Sequence, residues 1–272
     1  MRLVVLLPAF NEGPSIESLI LKVYESARKV TEDVKVIVCD DGSSDTTPEI
    51  LSAISKHLPV EVITHKLNRG LGETIRDLIE RACEITDPPD VIVRLDADAT
   101  HEPMYFLEMY RALDGGADVV VASRFATGGG QIGVPRYREL LSRGANIFMR
   151  IVFRIDGLRE FSSGFRMYRA DILHRAVALY GNNFIQIKGL GFTCTLEKLV
   201  KLNMIGARFV EVPFVLRYDR KVSSSKMVSS VTTLGYLVLA VMYHWPFGGW
   251  RSQSKRSNAN RLAPNDPISF SS

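Results

Sequence analysis

The sequence predicts an α/β domain with a mostly parallel central sheet flanked by helices. Three observations point there. Short continuous apolar runs recur along the first half, stretches with helical periodicity separate them, and acidic or turn-forming residues follow the runs. Buried parallel strands read in this way because helices cover both of their faces.

The elements follow in order. Leu3 to Leu7 is the first apolar run, ended by Pro8. Ser15 then caps a helix whose Ile16, Leu19, Ile20, Val23, Ala27 and Val30 recur at a period near 3.6. Val34 to Cys39 is the second strand, and Thr47 and Pro48 read as a cap and first-turn pair of the next helix, before Ile50, Leu51 and Ile54. Val60 to Thr64 follows as a strand, then a helix over Leu71 to Ile85, a strand at Val91 to Leu95, a helix after Pro103 and a strand at Asp118 to Ala122. Residues 126–135, ATGGGQIGVP, read as a mobile glycine-rich connection, and a helix is expected from Arg138 to Phe153. Met227 to Trp250 holds no Asp, Glu, Lys or Arg, but its most apolar part, Val231 to Trp245, measures only about 22 Å as a helix. That is short of a bilayer's hydrocarbon core, so the stretch is expected to lie in or dip into one leaflet, with Tyr236, Tyr243, Trp245 and Trp250 near the headgroups. A buried terminal helix or a subunit contact is the other reading.

With 272 residues, 46% of them hydrophobic, the chain closes one substantial core and is expected to form one main domain. Its formal charge is +4, of which a surplus of three lies in Arg251, Lys255, Arg256 and Arg261 against Asp266. Residues 1–250 therefore carry +1, which excludes the broad basic field of a nucleic-acid binder. The tail, rich in Ser, Asn and Pro, reads as disordered and either solubilising or lipid-facing. Cys39, Cys83 and Cys194 lie far apart among apolar residues, as buried thiols of a reducing compartment do. The opening MRLVVLLPAFNE reads as a buried strand and not as a secretion signal.

In a parallel sheet the chemistry is expected beyond the carboxyl ends of the strands, and the acidic residues cluster there. Asp96-Ala97-Asp98 follows one strand, where alternating residues direct two carboxylates to one side, close enough to share a hard divalent cation and the phosphates bound to it. Magnesium or manganese there would relieve charge on a departing nucleoside diphosphate. Thr100 is a further candidate ligand, and His101 either completes the metal shell or serves as a hydrogen-bonding cap. Asp40-Asp41-Gly42-Ser43-Ser44-Asp45 either meets a ribose or base or forms a turn that only caps the next helix, Asp45 above all. Pro8, Phe10 and Glu12 follow the first strand in the same layer and are expected to border the donor nucleotide. Gly70-Leu71-Gly72 lacks the third glycine of a dinucleotide fingerprint and the Lys-Ser/Thr of a phosphate loop, which removes support for hydride transfer and ATP hydrolysis. Arg217, Arg220, Lys221 and Lys226 form a basic group, with Asp219 alone against them, fit to close over a diphosphate or attract a lipid phosphate.

These blocks together resemble family 2 of the glycosyltransferases, and within it the dolichol-phosphate mannosyltransferase-like, or polyprenyl-phosphate sugar transferase, branch. The matching text is LPAFNE at 7–12, VIVCDDGSSDTT at 36–47, NRGLG at 68–72, VIVRLDADATHEP at 91–103, VVVASRF at 119–125, SSGFRMYR at 162–169 and the long block at 191–227. The resemblance implies a GT-A-like nucleotide-binding fold over residues 1–226, a membrane-interface or short inserting helix at 227–250 and a basic tail at 251–272. It implies inverting transfer of a hexose from GDP-mannose or UDP-glucose to a polyprenyl phosphate, with Mg2+ or Mn2+, on the cytoplasmic side of a membrane. Asp40, Asp96, Ala97 and Asp98 would meet the donor, and Asp96 and Asp98 the metal. Arg124 and Arg136 would form part of the active-site rim. Ser163, Gly164, Phe165 and Arg166 would shape the sugar and acceptor-phosphate pocket, Glu197 would face the sugar, and Arg217, Arg220 and Lys226 would bind phosphate. Departures are DADATH where relatives carry DADLSH or DADxQH, serine at 223 where they carry glycine, and Thr195 in place of a glutamine. A glycan or other hydroxyl acceptor is the alternative reading, with Glu197 as the base. A non-catalytic accessory subunit is a further one; a membrane subunit or a second copy is a conceivable partner.

Overall fold

A computed structural model describes residues 1–221 and 229–250. Lys226, Met227, Val228 and the 251–272 tail lie outside the described residues.

The run LVVLLPA forms β1 (Leu3–Ala9), which lies between β2 (Val34–Asp40) and β4 (Val91–Arg94), with Leu3 opposite both Val34 and Val91. Every β1 residue is buried because each face of the strand enters a different core. Val4 and Leu6 point to one, and Leu3, Val5 and Leu7 to the other. At about 1.5–3 kcal/mol for each buried Val, Leu or Ile, such strands fix the centre of the sheet.

The second core is closed by α1 (Gly13–Ala27), α2 (Thr47–Ile54) and α4 (Phe106–Asp114) through Ile16, Leu19, Leu51, Phe106 and Met109. The first is closed by α3 (Leu71–Ile85), α5 (Arg136–Phe153), α6 (Ala170–Tyr180), α7 (Thr193–Met204) and α8 (Ser229–His244). The sheet has the order β3-β2-β1-β4-β7-β5-β8, where β3 is Val60–Thr64, β5 Val119–Ser123, β7 Arg166–Arg169 and β8 Phe209–Pro213. All neighbours are parallel except β7, which is wedged antiparallel between β4 and β5. The predicted mostly parallel α/β architecture is the one observed.

Three local expectations are corrected. The first helix starts at Gly13 with Pro14 in its first turn, so Ser15 lies inside it and donates its hydroxyl to Glu12 O and Ala97 O, each at 3.2 Å. The glycine-rich 126–135 segment is not free of regular structure: β6 (Gly130–Ile132) pairs in parallel with β9 (Val215–Arg217). Gly133, at φ +80°, then presses against the backbone of Asp219, where a side chain has no room. The fifth helix begins at Arg136, two residues before the expected start.

The helix α8 has sixteen residues, and one face is anchored in the core by Tyr236, Leu239 and Tyr243. Among the described residues no helix is long and apolar enough to cross a membrane. Cys39 and Cys194 are buried, and burial together with nearby carboxylates pushes the Cys39 thiol up to about 12, which keeps it unreactive.

Candidate active site

The sheet order β2-β1-β4 sets three strand ends side by side, and each delivers part of the predicted site. Pro8 lies within β1, and Phe10, Asn11 and Glu12 follow it; Asp40 closes β2; Asp96 and Asp98 follow β4. Asn11 and Ala99 both adopt positive φ, 51° and 59°, so both connections leave their strands through sharp left-handed turns.

Asp96 accepts from the guanidinium of Arg94, and its own amide donates to His101 Nδ1 at 3.1 Å. Through that hydrogen bond the ring caps the turn, stacked on Phe165 at 5.4 Å. Burial, with Arg94 and Arg124 nearby, holds the imidazole below its ordinary pKa against the pull of Asp96 and Asp98. Asp98 accepts from the Thr100 amide at 3.2 Å and from the Thr100 hydroxyl at 2.7 Å, while its other oxygen pairs with the Lys221 ammonium. Burial raises the Asp98 carboxyl, yet Lys221, His101 and Thr100 together bring it below the usual range. Thr100, named as a candidate ligand, is used here to orient Asp98. Its carbonyl also accepts from the Arg217 amide at 3.0 Å, which ties β9 to this turn.

The basic arm thus reaches the acids. Arg220 pairs with Glu102, Lys221 with Asp98, and Arg217 forks onto Asp219 at 3.0 and 2.8 Å. Lys226 lies outside the described residues.

Asp40 is almost fully buried and accepts from the Ser43 amide at 3.1 Å. Asp41 accepts from the Arg69 amide at 2.9 Å and the Gly70 amide at 2.8 Å and sits 2.6 Å from His65 Nδ1, while Asp77 lies 2.9 Å from His65 Nε2. This clamp docks the NRG segment against the turn after β2. Asp45 receives Thr47 N, the Thr47 hydroxyl and Gly13 N, so it is the helix-capping turn residue of the two readings. Its burial is outweighed by those bonds, and its carboxyl lies below the ordinary range.

Arg124 is gripped by Glu160 at 2.8 and 2.9 Å and by the Ser162 hydroxyl at 2.8 Å, which fixes its guanidinium at the end of β5. Glu160 is fully buried and also accepts from the Ser162 and Ser163 amides. Ser163 in turn accepts from the Phe165 amide at 3.2 Å. Ala97 is buried under Ser15, and Arg136 is exposed at the first turn of α5.

Two expected site residues are not brought to the cleft. Arg166 is fully buried and spends its guanidinium on Thr195 O at 2.5 Å and Phe161 O at 2.9 Å, so it braces β7 against α7 instead of gripping a phosphate. Glu197 is also fully buried, bound by the amides of Gln186 and Ile187 at 2.9 Å each and by Lys201 at 2.5 Å. Its charge is neutralised in place, and it anchors the segment before α7. Three residues escaped sequence reasoning: Arg94, Glu160 and Lys198. Arg94 and Lys198 lie buried together near Arg166, and burial with the two neighbouring guanidinium groups holds Lys198 well below its ordinary pKa. Gly164 leaves the space that Arg94 fills; any side chain there would collide with the guanidinium.

With this geometry the chain belongs to glycosyl transferase family 2, whose profile matches residues 4–176. Its fold is GT-A-like. It is 31% identical over 236 residues to an undecaprenyl-phosphate mannosyltransferase of Micrococcus luteus, covering 85% of this chain and 89% of that one. It is 28% identical over 215 residues to a dolichol-phosphate mannosyltransferase of Pyrococcus furiosus, covering 79% of this chain but only 56% of the archaeal protein. Among solved structures, glucosyl-3-phosphoglycerate synthase of Mycobacterium tuberculosis with Mn2+ and UDP-glucose superposes with a TM-score of 0.57 at 18% identity, over 89% of this chain and 78% of that one. At that identity the likeness carries the fold alone.

Proposed function

We propose that this glycosyltransferase moves a hexose from GDP-mannose or UDP-glucose to a polyprenyl phosphate, with inversion at the anomeric carbon. The observation that carries this reading is the turn after β4. There Asp96 and Asp98 stand together while a basic arm folds back onto them, Lys221 on Asp98 and Arg220 on Glu102. Opposed charges of this kind suit a cation and a diphosphate held in one place. The names of the relatives from Micrococcus and Pyrococcus support the acceptor class.

A divalent cation fits this chain in one manner. Among the described residues no group of three or more His, Cys, Asp or Glu side chains gathers into a complete cage. Mg2+ and Mn2+ are commonly held by one or two carboxylates plus substrate phosphates, and Asp96 and Asp98 supply that share. Bound there, the cation would act as a Lewis acid toward the leaving diphosphate.

The other residues position and shield. Thr100 and His101 fix the two carboxylates, Asp40 and the turn after β1 border the nucleotide, and Arg124 presents a fixed positive charge held by Glu160. A phosphate acceptor brings an anionic oxygen and needs no strong base, so catalysis is positioning plus charge stabilisation. The hydroxyl-acceptor reading called for a base, and its named candidate, Glu197, is sealed by Gln186, Ile187 and Lys201. The apolar 227–250 stretch, beginning outside the described residues, would bring the enzyme to the membrane that holds a lipid acceptor.

The test is a donor-by-acceptor screen with Mg2+ or Mn2+ and mass measurement of the product. A sugar-phosphoryl-polyprenol is expected, and Asp98→Asn is expected to lower turnover by ~100-fold or more while the protein stays folded. Product formed only on hydroxyl acceptors would overturn the reading.

A further inference from the structure

Two arginines stand opposite each other in the middle of the sheet. Arg94 on β4 and Arg166 on β7 are register partners in an antiparallel pair, so their side chains leave the same face, toward α7. Lys198, three residues after Thr195 on α7, is buried beside them. The three side chains belong to residues only 2%, 0% and 1% exposed. Like charges directly opposite weaken a strand pair, and buried cations require anionic partners.

Anionic partners are scarce here. Arg94 has one hydrogen-bond partner, the Asp96 carboxylate on Nη2, while its Nε and Nη1 have none among the described residues. Arg166 donates to the Thr195 and Phe161 carbonyls, which leaves its Nε and the Thr195 hydroxyl unmatched. The buried acids nearby are already taken, Glu160 by Arg124 and Glu197 by Lys201. Buried donors left over in one place point to an anion.

The shortage grows when the site is loaded. Asp96 continues the row of Ile92 and Arg94 past the end of β4, so it stands over the cluster at the cleft, its side chain 25% exposed. In the proposed reaction this carboxylate serves a cation, and turning to it leaves Arg94 without its partner. The diphosphate is matched in that reading by the cation, Lys221 and Arg220. The transferred sugar remains as the carrier of a compensating charge.

We propose that Arg94 and Lys198 receive a carboxylate on the donor sugar, so that the enzyme prefers a nucleoside-diphosphate hexuronate to the neutral hexose on the same nucleotide. The inference rests on the proposed transfer and sharpens its donor. Released from Asp96, Nη2 of Arg94 acts with either unmatched nitrogen as a fork onto one carboxylate. Lys198 adds a positive point beside it, and an anion there favours the charge that the two guanidinium groups oppose. Gly164, having no side chain, leaves Nη1 of Arg94 the room it occupies.

The test measures binding by calorimetry with Mn2+ and without any acceptor. UDP-glucuronate is compared with UDP-glucose, GDP-mannuronate with GDP-mannose, and UDP and GDP serve as references. In at least one pair the hexuronate is expected to bind about tenfold or more tightly, the scale of an added hydrogen-bonded charge pair. Lys198→Met and Arg94→Met are each expected to bring that ratio close to one. Circular dichroism checks their folds, and if either variant does not fold, the wild-type ratio and the other variant decide. Equal affinities within both pairs overturn the proposal, as does a ratio that the folded variants keep. Equal affinities together with a melting point that acetate alone raises in the wild type, but not in Lys198→Met, overturn it in favour of an anion from solution. Nucleotides that bind with no gain from the carboxylate leave the transfer reading standing, whereas failure of UDP, GDP and all four sugar nucleotides to bind removes both.

Discussion

Glu160 shows how a single buried charge prepares a site. Its carboxylate meets Arg124 through two hydrogen bonds, and without it the guanidinium would be left largely buried and uncompensated. Glu160→Gln is therefore expected to cost about 3 kcal/mol, within the range for breaking a buried pair from one side, read as a lower denaturant midpoint. Turnover should fall as well, because Arg124 loses its fixed direction. The acid response follows from the same pair: burial pushes the Glu160 carboxyl up, but Arg124 and Ser162 pull it further down, below its ordinary 4.5. A depressed carboxyl stabilises the fold above its unfolded value and loses that contribution as pH falls through the folded one. The stability gap between wild type and Glu160→Gln should thus narrow progressively below pH 4.5, measured by denaturant titration at several pH values. Arg124 was legible in the sequence through the block VVVASRF at 119–125, whose resemblance to the family placed it at the active-site rim. Glu160 was not, since a lone acid in turn-rich text reads as a solvated charge until the fold buries it.

At the level of elements, the turns after the strands do the placing. Ala99, at φ +59°, bends the chain between Asp98 and Thr100 so that the Thr100 hydroxyl can return to the carboxylate. A β-branched side chain tolerates that conformation poorly, so Ala99→Val is expected to cost about 1–3 kcal/mol and to lower turnover by displacing Asp98. Ala99→Gly should hold stability within about 1 kcal/mol, since relieved strain offsets the added freedom of the unfolded chain. Thermal unfolding and kcat of both variants check this. The strands that carry the acids were readable because continuous apolar runs can only be buried on both faces. By contrast β7 has four residues with an arginine at each end and looks too polar for the middle of a sheet. The resemblance placed Arg166 in the acceptor-phosphate pocket, whereas the fold buries it and binds it to the carbonyls of Thr195 and Phe161. The strand β6 was hidden for another reason: its partner β9 is more than eighty residues away, and glycine text carries no periodicity.

Over the whole molecule, cation, nucleotide and fold are expected to be linked. In the proposed reading Asp96 and Asp98 would hold the cation, and among the described residues no third ligand of the His, Cys, Asp or Glu type joins them. A cation alone must also compete with Lys221 for Asp98 and with Arg94 for Asp96. Manganese by itself is therefore expected to bind weakly and to raise the melting point little. A nucleoside diphosphate changes the balance, because its oxygens complete the coordination shell and offer Lys221 and Arg220 a second anionic partner. Ligands that bind only the folded state stabilise it by mass action, about 2.7 kcal/mol at a hundredfold excess over Kd. Manganese and GDP or UDP together should hence raise the melting point by more than the sum of their separate effects. Asp98→Asn should remove that synergy and lower the melting point of the unliganded protein only modestly, through the lost pair with Lys221. Equal shifts with and without nucleotide, measured by differential scanning calorimetry, would mean that the cation is held elsewhere and would detach the acid pair from the diphosphate.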